Sequence, residues 1–500
     1  MAQRPRTARR SDPRPRARRR RAVDAKTWIA NAEALGRGEG ELVALFAEPD
    51  RVHMALRDVA GTRLLTLAVA DRRYPSVGAR HAPAIRLERA IRDLFGHEPE
   101  GLPDTRPWLD HGAWPLAHPL AAKRGLPAKA RGGYEFLPVE GEGLHQIPVG
   151  PVHAGIIEPG HFRFTANGET VVRLEARLGY VHKGIEWLMQ GAPIARAATL
   201  IGRVSGDSTV AYAYAFARAV ESALRLTPPP RAVYLRALMA ELERIANHLG
   251  DFGAICNDAT YVLIHAHCGV LREQVLAACD AAFGHRLMRD CIVPGGVAAD
   301  LSAAEARRLK ALVDSIAPRF RELVAIYDDA PSLLDRTVTT GLVSAELVRR
   351  FAAGGYVGRA SGRDFDARRE HAYPPYDKLG LEVPVFEAGD VDARLRVRLR
   401  EIEESLRLVR RILDALPRGE VRAALRGAKG EREGVGMVEG FRGDVFVYVR
   451  LSGTTVVRCH PRDPSWFQWP LLEVAVKDNI VADFPLCNKS FNCSYSGHDL

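Results

Sequence analysis

Nothing in this 500-residue sequence is suited to cross a membrane: it has no run of eighteen or more apolar residues, the length a spanning helix needs. The basic N-terminus is not followed by the apolar segment of a secretory signal. Paired thiols are missing too. Cys256, Cys268, Cys279, Cys291, Cys459, Cys487 and Cys493 contain no C-x-x-C pair. An odd, scattered set argues against a disulfide framework, so a cytoplasmic location is expected. The body of the chain also lacks the charge of a nucleic-acid binder. Of the net +10, residues 1–21 carry +9, from ten arginines and one acid, Asp12. This Pro- and Arg-rich stretch cannot bury a core, and residues 1–24 are expected to be a disordered tail. Its charge suits anionic lipid or an acidic partner.

What is present is a large apolar fraction, 47%, and enough length for two or three domains. Residues 25–111 read as a small α+β domain. Thr27–Leu35 is a helix candidate, and 42–46, 52–59 and 63–69 are strand candidates. Leu87–Phe95 is helical, closed by Gly96 as a C-cap. Residues 112–145, rich in Pro, Gly, Ala and His, read as a linker. Residues 146–500 form the second domain. There, 230–249, 301–326 and 397–416 carry helical periodicity, and 445–456 alternates like a hairpin around Ser452-Gly453. The fold class is α+β: a small mixed domain, then a mainly helical one with a small peripheral sheet.

The central stretch is Arg203-Val-Ser-Gly-Asp-Ser208, within an Ala-rich segment, 200–224, that reads as one buried helix. Its spacing is that of a metal-binding R-x-C-x-x-C, yet hydroxyls stand at both thiolate positions, Ser205 and Ser208. Thiolates hold soft metals; a serine hydroxyl, un-ionised near neutral pH, does not.

Two families resemble these motifs. Glu88, Arg89, Asp93, Phe95, Gly96 and Asp104 match the E-R-E-x-x-D-x-[FL]-G and G-x-P-D signature of the 30-kDa-type subunit of respiratory complex I, with Ala90 in place of the second acid. In that family the domain is a scaffold, and these charges are expected to brace a docking helix. Gly150-Pro-Val-His153, Glu175 to Glu186, the 203–208 stretch, Glu241-Leu-Glu-Arg-Ile-Ala-Asn-His248, Ile292-Val-Pro-Gly-Gly296, Arg359-Ala-Ser-Gly362, Asp366-Ala-Arg368 and Tyr373-Pro-Pro-Tyr-Asp377 follow in order. They resemble the 49-kDa-type subunit of complex I and the large subunit of group-4 [NiFe] hydrogenases. The fusion of both types in one chain is similar to the formate hydrogenlyase and hydrogenase-4 large subunits.

The resemblance implies a [NiFe] centre held by two C-x-x-C pairs. Here the first falls on Ser205 and Ser208, and the second on Ser494 and Gly497. A nickel–iron site is therefore predicted absent, and no metal is assigned to this chain. The quinone-binding His and Tyr of complex I fall on Ile157 and Gly206. The polar residues left to converge are His153, Ser205, Asp207, Ser208, Arg359, Ser494, His498 and Asp499. Of these, Asp207, His498 and His153 are the candidates for proton transfer. His248 and Arg244 are expected in an internal helix–helix network.

The resemblance further implies an adjacent [4Fe–4S] cluster in a 20-kDa-type iron–sulfur partner, a ferredoxin-like subunit and antiporter-like membrane subunits. It also implies a peripheral site on the cytoplasmic face of the membrane. Three readings stay open: an NADH:quinone-type or related oxidoreductase subunit that passes electrons to quinone or another acceptor and drives ion translocation; an active hydrogenase; and a non-catalytic coupling subunit.

Overall fold

The computed structural model describes residues 20–500 except 59–60, 123–133, 154, 156 and 428. The first nineteen residues of the expected tail lie outside the described residues. Its end does not behave as a tail. Arg20–Val23 is a strand, parallel to Gly61–Ala68, which pairs in turn with Arg51–Asp58 and then Glu41–Glu48. Asp24 follows as N-cap of the helix Ala25–Gly36, accepting the Thr27 N–H at 2.8 Å. That helix buries Trp28, whose indole N–H donates to the Pro75 carbonyl at 3.0 Å.

The helix Ile85–Phe95 ends on Gly96 at φ 69°, the left-handed conformation expected of a C-cap. Its motif charges are internal braces. Glu88 accepts from Ser76 Oγ and from the Val77 and Gly78 N–H groups. Asp93 accepts from the N–H groups of Trp108, Leu109 and Asp110, and Arg89 binds Asp104 and the Arg106 carbonyl. The described parts of the expected linker are anchored at points. Leu120 is buried with its N–H on the Leu94 carbonyl, and Trp114 stacks on His182 at 4.8 Å. A strand begins inside that stretch, Leu144–Val149, paired with His161–Asn167 and through it with Thr170–Arg177.

Four long helices form the core of the larger part: Pro230–Asp258, Val262–Phe283, Ala303–Asp328 and Val391–Asp414. The sheet expected at the periphery is central instead. Its strands, Glu431–Gly440, Gly443–Ser452 and Thr455–Arg462, bury Val438, Val447, Tyr448, Val449 and Val456 completely. One face receives the Ala-rich helix Thr209–Leu224. Gly434 and Gly436 permit this: a Cβ on either would lie 2.0 Å from the carbonyl of Ala219 or Ala215. The other face meets the N-terminal sheet. Phe46 stacks on His460 at 4.6 Å, and Arg462 Nε donates to the Val43 carbonyl at 2.8 Å. The two domains expected from the sequence thus share one sheet-on-sheet interface. No helix among the described residues is long and apolar enough to cross a membrane.

Candidate functional site

The single helix expected over 200–224 is broken where the central motif lies. A first helix, Ile194–Ile201, stops at Gly202; Ser205 is extended, Gly206–Ser208 make a 3-10 turn, and the second helix starts at Thr209. The side chains explain the break. The hydroxyls of Ser205 and Ser208 and the Asp207 carboxylate bond one another and Arg442 across the corner. Thr209 Oγ1 donates to the Gly202 carbonyl at 2.8 Å, closing the corner. Glu243, from the helix Pro230–Asp258, accepts the Val210 and Ala211 N–H groups at 2.7 and 3.1 Å and caps the second helix from outside.

Four of the expected residues form one hydrogen-bonded group. Ser205 Oγ donates to Asp207 Oδ1 at 2.7 Å and lies 3.2 Å from Ser494 Oγ; Ser208 Oγ donates to Asp207 Oδ1 at 3.2 Å. Ser494 Oγ also accepts the Gly497 N–H at 2.8 Å. The group is completed by residues that motif reading missed. Arg442 holds Asp207 with bonds of 2.9 and 2.6 Å and reaches Ser208 Oγ at 3.1 Å. Asp463 accepts from the Tyr212 hydroxyl at 2.6 Å. A Cβ on Gly497 would lie 2.4 Å from Asp463 Oδ2, so a carboxylate stands where a side chain at 497 would go. Arg442 occupies the two-residue turn between the strands Glu431–Gly440 and Gly443–Ser452 and is nevertheless buried. An arginine beside a phenylalanine in so tight a turn is the one local signal for it.

The electrostatics split two carboxyls. Burial works against charge on Asp207, but the Arg442 guanidinium and the serine hydroxyls hold it well below the usual carboxylate range. Burial pushes Glu243 up to about 8, against its two N–H donors and with Asp207 adding repulsion. The same pocket thus favours the charged form of one carboxyl, through Arg442, and the neutral form of the other, through burial. The two line a cavity of about 10 Å³ with Asn247 and Cys279, room for about one water.

His498 and Asp499 form an adjacent, fully buried pair. The His498 ring stacks on Trp466 at 4.0 Å, accepts the Trp108 indole N–H on Nε2 at 3.3 Å and donates from Nδ1 to Asp499 Oδ1 at 2.8 Å. Burial lowers its pKa, and both nitrogens are engaged within the protein. Asp499 Oδ2 accepts the Gly179 and Val181 N–H groups, securing the 179–184 loop of the second motif. His153 is half-buried, its Nε2 3.5 Å from the Tyr495 hydroxyl. Arg359 joins a different network. It binds Glu401, Glu439 and the Phe365 carbonyl, and Glu401 in turn bonds His248 at 2.7 Å. That is the internal helix–helix network expected of His248 and Arg244. The two quinone-ligand positions are both exposed, and the space a side chain at 206 would enter faces Arg289 Nη2.

The donor set does not fit a nickel–iron group. Three hydroxyls and a glycine stand at the four positions, two of the hydroxyls bonded to each other and the glycine blocked by Asp463.

Among known proteins, residues 261–434 match the family of the respiratory-chain NADH dehydrogenase 49-kDa subunit, and residues 183–256 match the family of nickel-dependent hydrogenases. Formate hydrogenlyase subunit 5 of Escherichia coli is 31% identical over 85% of this chain and 77% of its own length. The carbon monoxide-induced hydrogenase of Rhodospirillum rubrum is 31% identical over 70% of this chain and 97% of its own length. Hydrogenase-4 component G of Escherichia coli is 30% identical over 86% of this chain and 76% of its own length. Among solved structures, a chain of the membrane-bound sulfane sulfur reductase, an archaeal respiratory membrane complex, superposes with a TM-score of 0.68 at 23% identity, covering 73% of this chain and all of that one.

Proposed function

The chain belongs to the family that unites large subunits of membrane-bound hydrogenases with the 49-kDa-type subunits of complex I, and from that premise we propose that it is the large subunit of a membrane-associated oxidoreductase complex built without a nickel–iron centre. Electrons arrive from a [4Fe–4S] cluster in a partner iron–sulfur subunit and leave to a quinone or another acceptor. Antiporter-like membrane subunits couple the reaction to ion translocation, and the chain sits peripherally on the cytoplasmic face. Asp207 supplies a fixed negative charge and Glu243 the group able to hold a proton, while His498 and Asp499 hold the 179–184 loop in place.

The observation that carries this reading is the serine group itself. Ser205, Ser208 and Ser494 satisfy one another and Asp207, Arg442 neutralises the carboxylate, and Asp463 closes the fourth position. A site emptied of metal by chance would leave buried polar groups unpaired, at about 1–3 kcal/mol each. Elemental analysis of the complex purified from its own host tests the reading: nickel far below one atom per chain is expected, and nickel near one atom per chain overturns it.

A second reading, a non-catalytic coupling subunit, draws on the small volume beside Asp207, which admits about one water and no organic substrate. Asp207→Asn in the assembled complex separates the two. Loss of electron transfer to quinone with assembly intact favours the enzyme, and unchanged turnover favours the coupling role.

A further inference from the structure

A cavity of about 510 Å³ lies away from the serine group, between residues 106–112, residues 134–136 and the end of the strand Thr170–Arg177. Its volume is that of a small-molecule site. At its wall is Arg177, only 2% exposed. The guanidinium donates to the carbonyls of Pro107, Trp108 and Asp110 and lies 4.3 Å from the Tyr134 ring centroid. None of these partners is a carboxylate. Carbonyl dipoles and a ring face solvate the cation without an ion pair; burial pushes Arg177 down to about 10, with Asp93 acting on it only through space.

The rest of the wall narrows the ligand. Arg106 is already neutralised by Asp104 and Glu175. His111 and His161 each hydrogen-bond a backbone carbonyl, and burial lowers both pKa values. Asp110 and Glu135 share the cavity, and their charge opposes any anion, the more so the higher its charge, which leaves a single charge placed towards Arg177 as the most that fits. Phe136 and Tyr180 supply flat apolar surface.

We propose that this cavity binds a planar organic monoanion, an aromatic or conjugated carboxylate whose ring lies against Phe136 and Tyr180 and whose charge faces Arg177. The site also adjoins the His498–Asp499 pair: Trp108 accepts from Arg177 through its carbonyl and donates to His498 through its indole.

The test is calorimetric titration of the full chain with 2-naphthoate and with its neutral analogue 2-naphthamide. Naphthoate is expected to bind one to one and about tenfold tighter than the amide, the scale of one charge-assisted hydrogen bond. Arg177→Gln removes that preference, and Tyr180→Ala, at a rim position, weakens both ligands. Tyr180→Ala and the wild-type comparison keep the test decisive where Arg177→Gln fails to fold. Equal affinity for the two ligands, no heat from either, or indifference to Tyr180→Ala overturns the proposal. None of these outcomes depends on nickel content or electron transfer.

Discussion

Arg442 grips both carboxylate oxygens of Asp207 through two N–H bonds of 2.9 and 2.6 Å, joining a hairpin turn to the helix break more than two hundred residues earlier. Arg442 is buried, whereas the Asp207 side chain retains 37% of its exposure. Bidentate geometry of this kind combines direction with charge neutralisation. The corner at 203–208 is thus braced by an ion pair from the hairpin turn.

Asp207→Asn leaves the buried Arg442 guanidinium without its counter-charge. The expected loss is about 2 kcal/mol, below the ~3–5 kcal/mol of a fully buried broken pair because Asp207 is partly solvated. Chemical denaturation of wild type and variant measures it. The folded-state pKa of Asp207 is depressed, so its contribution is present above the unfolded value near 3.8 and fades as pH falls below it. The gap between the two proteins closes in acid.

Glu243 has the opposite sign. Its pKa is raised from 4.5 to about 8, so the folded state keeps a proton that the unfolded chain releases. The stability tied to that proton is complete below about pH 4.5 and is lost as pH climbs to about 8, at up to about 1.4 kcal/mol per pH unit. Glu243→Gln is permanently neutral. The stability difference between Glu243→Gln and wild type, followed from pH 5 to 8, is expected to shift in favour of the variant; a difference independent of pH overturns the assignment.

Gly497→Ala places a methyl against the Asp463 carboxylate, 2.4 Å from Oδ2. Overpacking of this kind costs about 1–3 kcal/mol. Asp463→Ala makes room but strands the Tyr212 hydroxyl. The double variant is expected to be more stable than the sum of the single losses by at least about 1 kcal/mol in a thermodynamic cycle. Strict additivity means that Asp463 does not fill the fourth position.

Asp499→Ala orphans the Gly179 and Val181 N–H groups. A cost of about 2–3 kcal/mol is expected, with faster hydrogen exchange concentrated in residues 179–184. Uniform acceleration across the chain argues against a local clasp.

Much of this was legible in the order of residues. The strands expected at 42–46, 52–59 and 63–69, the Gly96 cap and the helices expected at 230–249, 301–326 and 397–416 announce themselves through periodicity and turn chemistry, which are local, whereas the helix Val262–Phe283 does not. The hydroxyls at Ser205, Ser208 and Ser494 are equally plain, because replacement of a thiolate is visible residue by residue. Arg442, Asp463, Tyr212 and Glu243 were not legible as site residues. Each looks like an ordinary core or turn residue until elements distant in sequence meet. The same holds for Arg359, whose motif placed it near the centre while its charge went to Glu401 and Glu439.

The sequence by itself determined the family, the alternation of elements and the presence of hydroxyls and a glycine at Ser205, Ser208, Ser494 and Gly497, since these depend on residue type and spacing alone. Tertiary structure decided how those positions are satisfied. The Ala-rich helix lies flat on Gly434 and Gly436, and that close approach brings the Arg442 turn onto Asp207 and Asp463 beside Gly497. A buried charge or hydroxyl must find its partner wherever the packed chain supplies one, and no local pattern specifies where that is.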